Sequence, residues 1–247
     1  MIIANNGEWT NVAAGGGAIW YLESPGKLVA VDPSRSEVTR VIRLSAARGR
    51  AAFEFAGASF QGTCVSQIAP TSRAGLLCLP RTAKRVIRIS AGPGPIAGAP
   101  DGSLWVGGPS LTQLTLTPRK TKSIPLPRKT SVDAVAARGD SVWVAVNFSS
   151  RTSAKAQLWQ LKRGKVVHRF PVPGAWVAAV APARGRVWLL TEPRRGKMAE
   201  IKVISRSGRL RSVSRVARTS RVLVAAPSSV WTLDYRSGTA TVITVRR

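Results

Sequence analysis

The sequence predicts an all-β chain folded as a single six-bladed β-propeller, and three observations carry that expectation. Tryptophan recurs in one apolar setting: AIW ends at Trp20, SLWV holds Trp105, SVWV holds Trp143, RVWLL holds Trp188 and SVWTL holds Trp231. With Cys64 of GTCVSQ filling the slot midway between Trp20 and Trp105, these anchors fall about forty residues apart along the whole chain. Between them lie short alternating stretches separated by Gly, Pro, Asp and Ser, without a helical period. A period of that length built from short strands fits a blade of four antiparallel strands.

The units share one order of elements. Each opens on a strand of small apolar residues and a tight turn into the anchor strand, as in VAAGGGAIW, IAGAPDGSLW, AVAARGDSVW, AAVAPARGRVW and LVAAPSSVW. A variable loop leads to a third strand (KLVAVDP, GLLCLP, LTQLTLT, AQLWQLK, AEIKVIS, TATVITV) and then to a fourth (VTRVIRL, RVIRIS, TKSIPL, VVHRFPV, RLRSVSRV). The last unit ends after its third strand, whereas MIIANN is spare at the start. The expectation is that Met1–Asn5 pairs antiparallel with TATVITV as the missing outer strand and closes the ring; the alternative is a truncated seven-bladed ring. The stretch AGPGPIAGAP has neither dinucleotide-loop nor P-loop glycine spacing and reads as an interblade connection. Residues 1–247 are expected to form one domain, and the repeat leaves no sign of a linker.

Composition bounds the function classes. Of 247 residues, 38 are Lys or Arg and 11 are Asp or Glu, for a net charge of +27. Such an excess favours contact with polyanions such as nucleic acid or a cell-envelope polymer, and equally suits a solubilising surface. No apolar run reaches the length of a membrane span, and MIIANNGEWT lacks the pattern of a signal peptide, so a cytoplasmic monomer is the default expectation. Two cysteines provide no metal-site spacing. Cys64 and Cys78 fall opposite each other on neighbouring strands, either as a cross-strand disulfide or as two buried thiols.

The anchor-strand motifs IWYLE (Ile19–Glu23), VWLLTE (Val187–Glu192) and VWTLD (Val230–Asp234), the first two preceded by Gly-containing turns, resemble the repeats of the streptogramin (virginiamycin B) lyase-like propellers and of the related NHL and YVTN propellers. The lyases of that group are metal-dependent and use histidines together with a glutamate on one face of the ring, so the resemblance implies a metal-dependent lyase or hydrolase as the alternative function. The one histidine here, His168, lies in the outer-strand stretch VVHRFPV and matches none of those positions.

Two constellations are candidates for binding. Glu23, Glu192 and Asp234 end anchor strands, with Asn147 in a matching place, and the residues ten before the anchors include Glu54, Asp133 and Arg221. Glu23, Glu54, Asp133, Glu192, Arg221 and Asp234 together form the expected ligand site at the channel mouth, where a divalent cation, a sugar or a basic peptide could sit or a salt network could form instead. The second constellation is basic: Arg40, Arg43, Arg85, Arg88, Arg194 and Arg195, with further cations on fourth strands, place positive charge on the perimeter. Arg there suits bidentate phosphate contact, and charge on an outer strand also discourages edge-to-edge pairing. Trp159 and Trp176 stand outside the anchor set, as core residues or stacking platforms. No Ser-His-Asp or Cys-His arrangement is available, and no cofactor is expected. The sequence reads as a non-catalytic binding or scaffold module.

Overall fold

The computed structural model describes residues 12–244 except 16, 24–26, 45–51, 69–74, 84, 93, 149–154, 184, 194–197, 206, 226–228, 235 and 238. Within these, alternation of apolar and polar side chains yields strands throughout and no helix. The chain divides into two compact units, Met1–Pro125 and Leu126–Arg247.

The first unit holds three four-stranded antiparallel sheets, each in sequence order. They are β1 (Val12–Gly15), β2 (Ala18–Glu23), β3 (Lys27–Asp32) and β4 (Glu37–Arg43); β5 (Ala52–Ser59), β6 (Gly62–Ile68), β7 (Gly75–Pro80) and β8 (Ile87–Ile89); and β9 (Ile96–Gly98), β10 (Leu104–Val106), β11 (Leu111–Leu116) and β12 (Arg119–Ile124). The second unit repeats the plan with β13 (Thr130–Arg138), β14 (Ser141–Phe148), β15 (Lys155–Lys162) and β16 (Lys165–Pro173), then β17 (Ala175–Ala183), β18 (Arg186–Pro193), β19 (Met198–Ile204) and β20 (Leu210–Ala217). Its last sheet, β21 (Ser220–Ala225), β22 (Ser229–Asp234) and β23 (Ala240–Thr244), has three strands among the described residues. The Met1–Asn5 segment expected beside it lies outside the described residues.

The small residues of the opening strands have a steric cause. These strands lie side by side within each unit, β1 against β5 and β5 against β9, β13 against β17 and β17 against β21. At Gly98 a Cβ would land on the Ala58 carbonyl, and at Gly57 on the side chain of Ile96, so the approach of β5 to β9 leaves no room for a side chain. Between β13 and β14, Gly139 turns the chain with φ of 58°, a left-handed value that glycine adopts without the Cβ penalty.

In the five four-stranded sheets the third strand is more buried than the fourth. All six positions of β7 are buried, whereas five of the six positions of β12 are exposed. Four of the six anchors join an apolar cluster with the following sheet of their unit: Trp20 with Val65 and Leu77, Cys64 with Leu104 and Leu114, Trp143 with Val187 and Leu189, Trp188 with Leu223 and Val230. Burying a leucine of this kind contributes about 1.5–3 kcal/mol, which makes these clusters the main source of cohesion between sheets. The expectation of a core anchor fails at Trp231, which is 46% exposed. No sheet of the second unit follows β21–β23, so the face that carries Trp231 with Val224 and Val242 has no neighbour in that unit to pack on.

Cys64 and Cys78 are direct register partners on β6 and β7 and are joined by a disulfide, with their Cα atoms 4.0 Å apart. Of the two states left open by the sequence, the bonded one is present, and both residues are fully buried.

Candidate functional site

The residues found by counting back from the anchors share a structural identity. Glu54, Asp133, Ala178 and Arg221 each occupy a one-residue register shift in the opening strand, between Phe53 and Phe55, Val132 and Ala134, Val177 and Ala179, and Ser220 and Val222. A bulge inserts one unpaired residue and re-aims its side chain, so the repeat delivers a specially oriented position to four opening strands. The side chains of Glu23, Glu54 and Arg221 lie outside the described set.

The anchor-strand acids split into two registers. Asn147 and Glu192 stand four residues after their tryptophans, whereas Glu23 and Asp234 stand three after theirs, and neighbouring strand positions face opposite ways. Asn147 is fully buried and points to the following sheet, where its Nδ2 donates to the Val177 carbonyl at 3.0 Å and its Oδ1 accepts from the Val177 N–H at 2.9 Å. The same Nδ2 donates to Asp133 Oδ2 at 2.8 Å, and the Ser131 hydroxyl donates to that oxygen at 2.9 Å. Glu192 Oε2 lies 4.0 Å from Arg218 Nε. Asp234 closes a turn, accepting from the Arg236 N–H at 3.0 Å and the Ser237 hydroxyl at 2.9 Å. Asp133 thus meets Ser131 and Asn147, Glu192 faces Arg218, and Asp234 meets the residues of its own turn. Among the described residues no three His, Cys, Asp or Glu side chains gather closely enough to hold a metal ion.

The hydroxyl of Thr219 and then the N–H of Arg236 hold the Asp234 carboxyl below its usual value of 3.8. A depressed folded-state value means stabilisation that is present above the ordinary carboxylate range and lost as pH falls through the depressed value. Asp234→Asn is therefore expected to be less stable than the native chain at neutral pH, with the difference shrinking below about pH 4. Urea unfolding across that range checks it; a difference that grows on acidification contradicts it.

The basic constellation lies where the fourth strands were expected. Arg43 on β4, Arg88 on β8, Arg119, Lys120 and Lys122 on β12, Lys165 and Arg169 on β16, and Arg211 and Arg215 on β20 are exposed, as is Arg85 just before β8. Arg40 departs from this pattern: it is half-buried, its Nη2 donating to the Ala83 carbonyl at 3.4 Å. Arg194 and Arg195 lie outside the described residues. Acids are engaged close to home, Asp140 with Lys162 at 3.1 Å and Glu200 with Lys202 at 3.4 Å, which leaves the cationic excess on the outer strands. Trp159 is a core residue, 2% exposed, with its Nε1 donating to Gln157 Oε1 at 2.9 Å and the Arg169 guanidinium 4.9 Å from its ring centre. Trp176 is half-buried opposite Glu192.

Similar architecture occurs in solved proteins of very different sequence. Kuenenia stuttgartiensis hydrazine synthase superposes with a TM-score of 0.70 at 11% identity, over 99% of this chain and 78% of that one. The β-propeller domain of Myceliophteria thermophila Cps50 (Swd1) gives 0.54 at 12% identity, over 98% and 99%, and the RRP9 WD40 repeats give 0.64 at 7%, over 96% and 79%. The fold is a six-bladed β-propeller. No protein-family model matches the chain, and no curated protein does. At these identities the likeness concerns the propeller fold alone.

One feature of the propeller escaped the sequence reading. On the second unit Trp143, Phe170 and His168 line an open cavity together with Arg138 and Arg186. The signal available was the anchor tryptophan with arginines in the adjoining turns, but which turn meets which ring depends on how neighbouring blades pack.

Proposed function

We propose that the chain is a non-catalytic binding module whose basic outer strands engage an extended polyanion. The observation that carries this reading is the distribution of charge: the middle strands β3, β7, β10, β14 and β18 are largely buried, whereas the outermost strands carry exposed Arg and Lys in blade after blade. Phosphate or sulfate groups on a flexible chain would meet guanidinium and ammonium groups without requiring a pocket. No helix among the described residues is long and apolar enough to cross a membrane. The lyase chemistry implied by the repeat resemblance has less support, since His168 stands on the outer strand β16 beside Phe170.

Binding to a polyanion through this surface is expected to weaken steeply with salt, with a log–log slope of about −0.9 per phosphate contacted on duplex DNA. The combined variant Arg43→Glu, Arg85→Glu, Lys120→Glu and Lys122→Glu should reduce affinity and flatten the slope while leaving thermal stability within about 0.5 kcal/mol, as expected for exposed positions. Fluorescence anisotropy with labelled nucleic acid and with heparin measures both. Absence of binding to either polymer at low ionic strength would overturn the reading.

A further inference from the structure

The outer strands offer charge, but the second unit also offers a recess that charge alone does not explain. A cavity of about 480 Å³ opens between the β13–β16 and β17–β20 sheets, at the end where their hairpin turns lie. That volume is within the range of small-ligand sites, roughly 300–1,000 Å³. Its wall is aromatic: the Trp143 and Phe170 ring centres are 6.0 Å apart with planes inclined by 31°, and His168 follows at 5.8 Å from Phe170 with an inclination of 40°. Arg138 is held at the rim by donation from its Nη1 to the Pro182 carbonyl at 3.1 Å, and Arg186 borders the same opening. Gln160 reaches Ser141 Oγ with its Nε2 at 3.0 Å, which fixes a polar edge beside the rings. Among the described residues no carboxylate lines this cavity.

The same place in the repeat is hollow in the first unit. There a cavity of about 190 Å³ is lined by the anchor Trp20, by Phe60, and by Arg40 and Arg81, again with no carboxylate among the described residues. The correspondence is one of register: Trp20 faces Ala30, which faces Arg40, just as Trp143 faces Gln160, which faces His168. The anchor tryptophan on the floor therefore recurs by register, whereas the second ring and the guanidiniums come from different positions, Phe60, Arg40 and Arg81 in one cavity and Phe170, Arg138 and Arg186 in the other.

We infer that the larger cavity is a binding site for an unpaired nucleotide, its base laid on the Phe170–Trp143 wall and its phosphate held by Arg138 and Arg186. Flat π-faces accept any base by stacking, and guanidiniums match phosphate geometry. A duplex keeps its bases inside its own stack and cannot fill the recess. The inference rests on the polyanion reading and narrows it to single-stranded nucleic acid, whose nucleotides share their chemistry with free mononucleotides.

The test uses the full chain with three probes: labelled oligo(dT), the corresponding duplex and thymidine monophosphate, followed by anisotropy and tryptophan fluorescence. Oligo(dT) should bind more tightly than duplex and quench tryptophan emission, and thymidine monophosphate should bind far more weakly. Phe170→Leu should weaken oligo(dT) binding by about 5- to 150-fold, the equivalent of one stacked base, and leave duplex and heparin binding unchanged. Arg186→Gln, an exposed substitution, should weaken oligo(dT) without altering the melting temperature, which covers the case in which Phe170→Leu disturbs folding. Equal binding of duplex and oligo(dT), or indifference of oligo(dT) binding to both substitutions, overturns the nucleotide site while leaving the basic surface in place. Mononucleotide binding as tight as that of the oligomer overturns the single-strand assignment in favour of a free nucleotide. Failure of every polymer to bind at low salt removes the polyanion reading itself.

Discussion

Asn147→Leu is expected to destabilise the protein by about 3–5 kcal/mol, because it strands buried polar groups at a junction between two sheets. The Asn147 amide acts as a piece of β-ladder, accepting from the N–H and donating to the C=O of the same residue, Val177. Val177 is fully buried, so water cannot take over when the amide is gone. Each orphaned backbone group costs about 1–3 kcal/mol, and Asp133 also loses one of its two side-chain donors. At roughly 2–4 °C per kcal/mol for a chain of this size, the melting temperature should fall by about 6–20 °C. Asn147→Asp keeps the shape but sets a carboxylate against that of Asp133, so its deficit should ease on acidification, when the pair shares a proton. Urea unfolding of both variants at neutral and acid pH measures these effects. A loss below 1 kcal/mol for Asn147→Leu would show that the amide is not what joins β14 to β17.

Removal of the disulfide should have a comparable effect. The bond joins residues 14 apart in sequence and sits in an apolar cluster with Leu76, Leu104 and Leu114. Closing a loop of that length restricts the unfolded chain by about 3 kcal/mol. Cys64→Ala with Cys78→Ala adds the loss of sulfur packing, so the doubly substituted protein should melt about 6–12 °C below the oxidised parent. Because both sulfurs are buried, reductant should act only as fast as the sheet opens. Equal melting temperatures for oxidised and reduced protein, or two titratable thiols in the denatured unreduced chain, would contradict the bonded pair.

The disulfide also shows how far spacing alone could go. Cys64 occupies a tryptophan slot, and the hairpin geometry placed Cys78 opposite it, so the pairing of positions was legible while the oxidation state was not. Glu54, Asp133 and Arg221 were reached by counting back from the anchors, and they fall on a register shift that four of the opening strands share. What counting could not supply was the bulge, since an unpaired residue in a strand has no signature in apolar alternation. Asn147 looked like a companion of the acids on the same grounds. Its partners are the backbone of Val177 and the carboxylate of Asp133, thirty and fourteen residues away; the β13–β14 pairing brings Asp133 to it, and only the packing of β14 on β17 brings Val177.

The sequence by itself determined the blade: four strands in a fixed order, small residues in the first, an aromatic anchor in the second and cations in the last. Those features follow from local rules, because alternation, turn chemistry and strand length act over a few residues and are repeated. Tertiary structure alone decided what each blade meets. The half-exposed Trp231 and the packed Trp188 have nearly the same sequence setting, yet one face has a following sheet in its unit and the other has none. The recess lined by Trp143, Phe170, Arg138 and Arg186 likewise exists only where one blade's outer strands meet the turns of the next, since its walls come from segments that no local pattern connects.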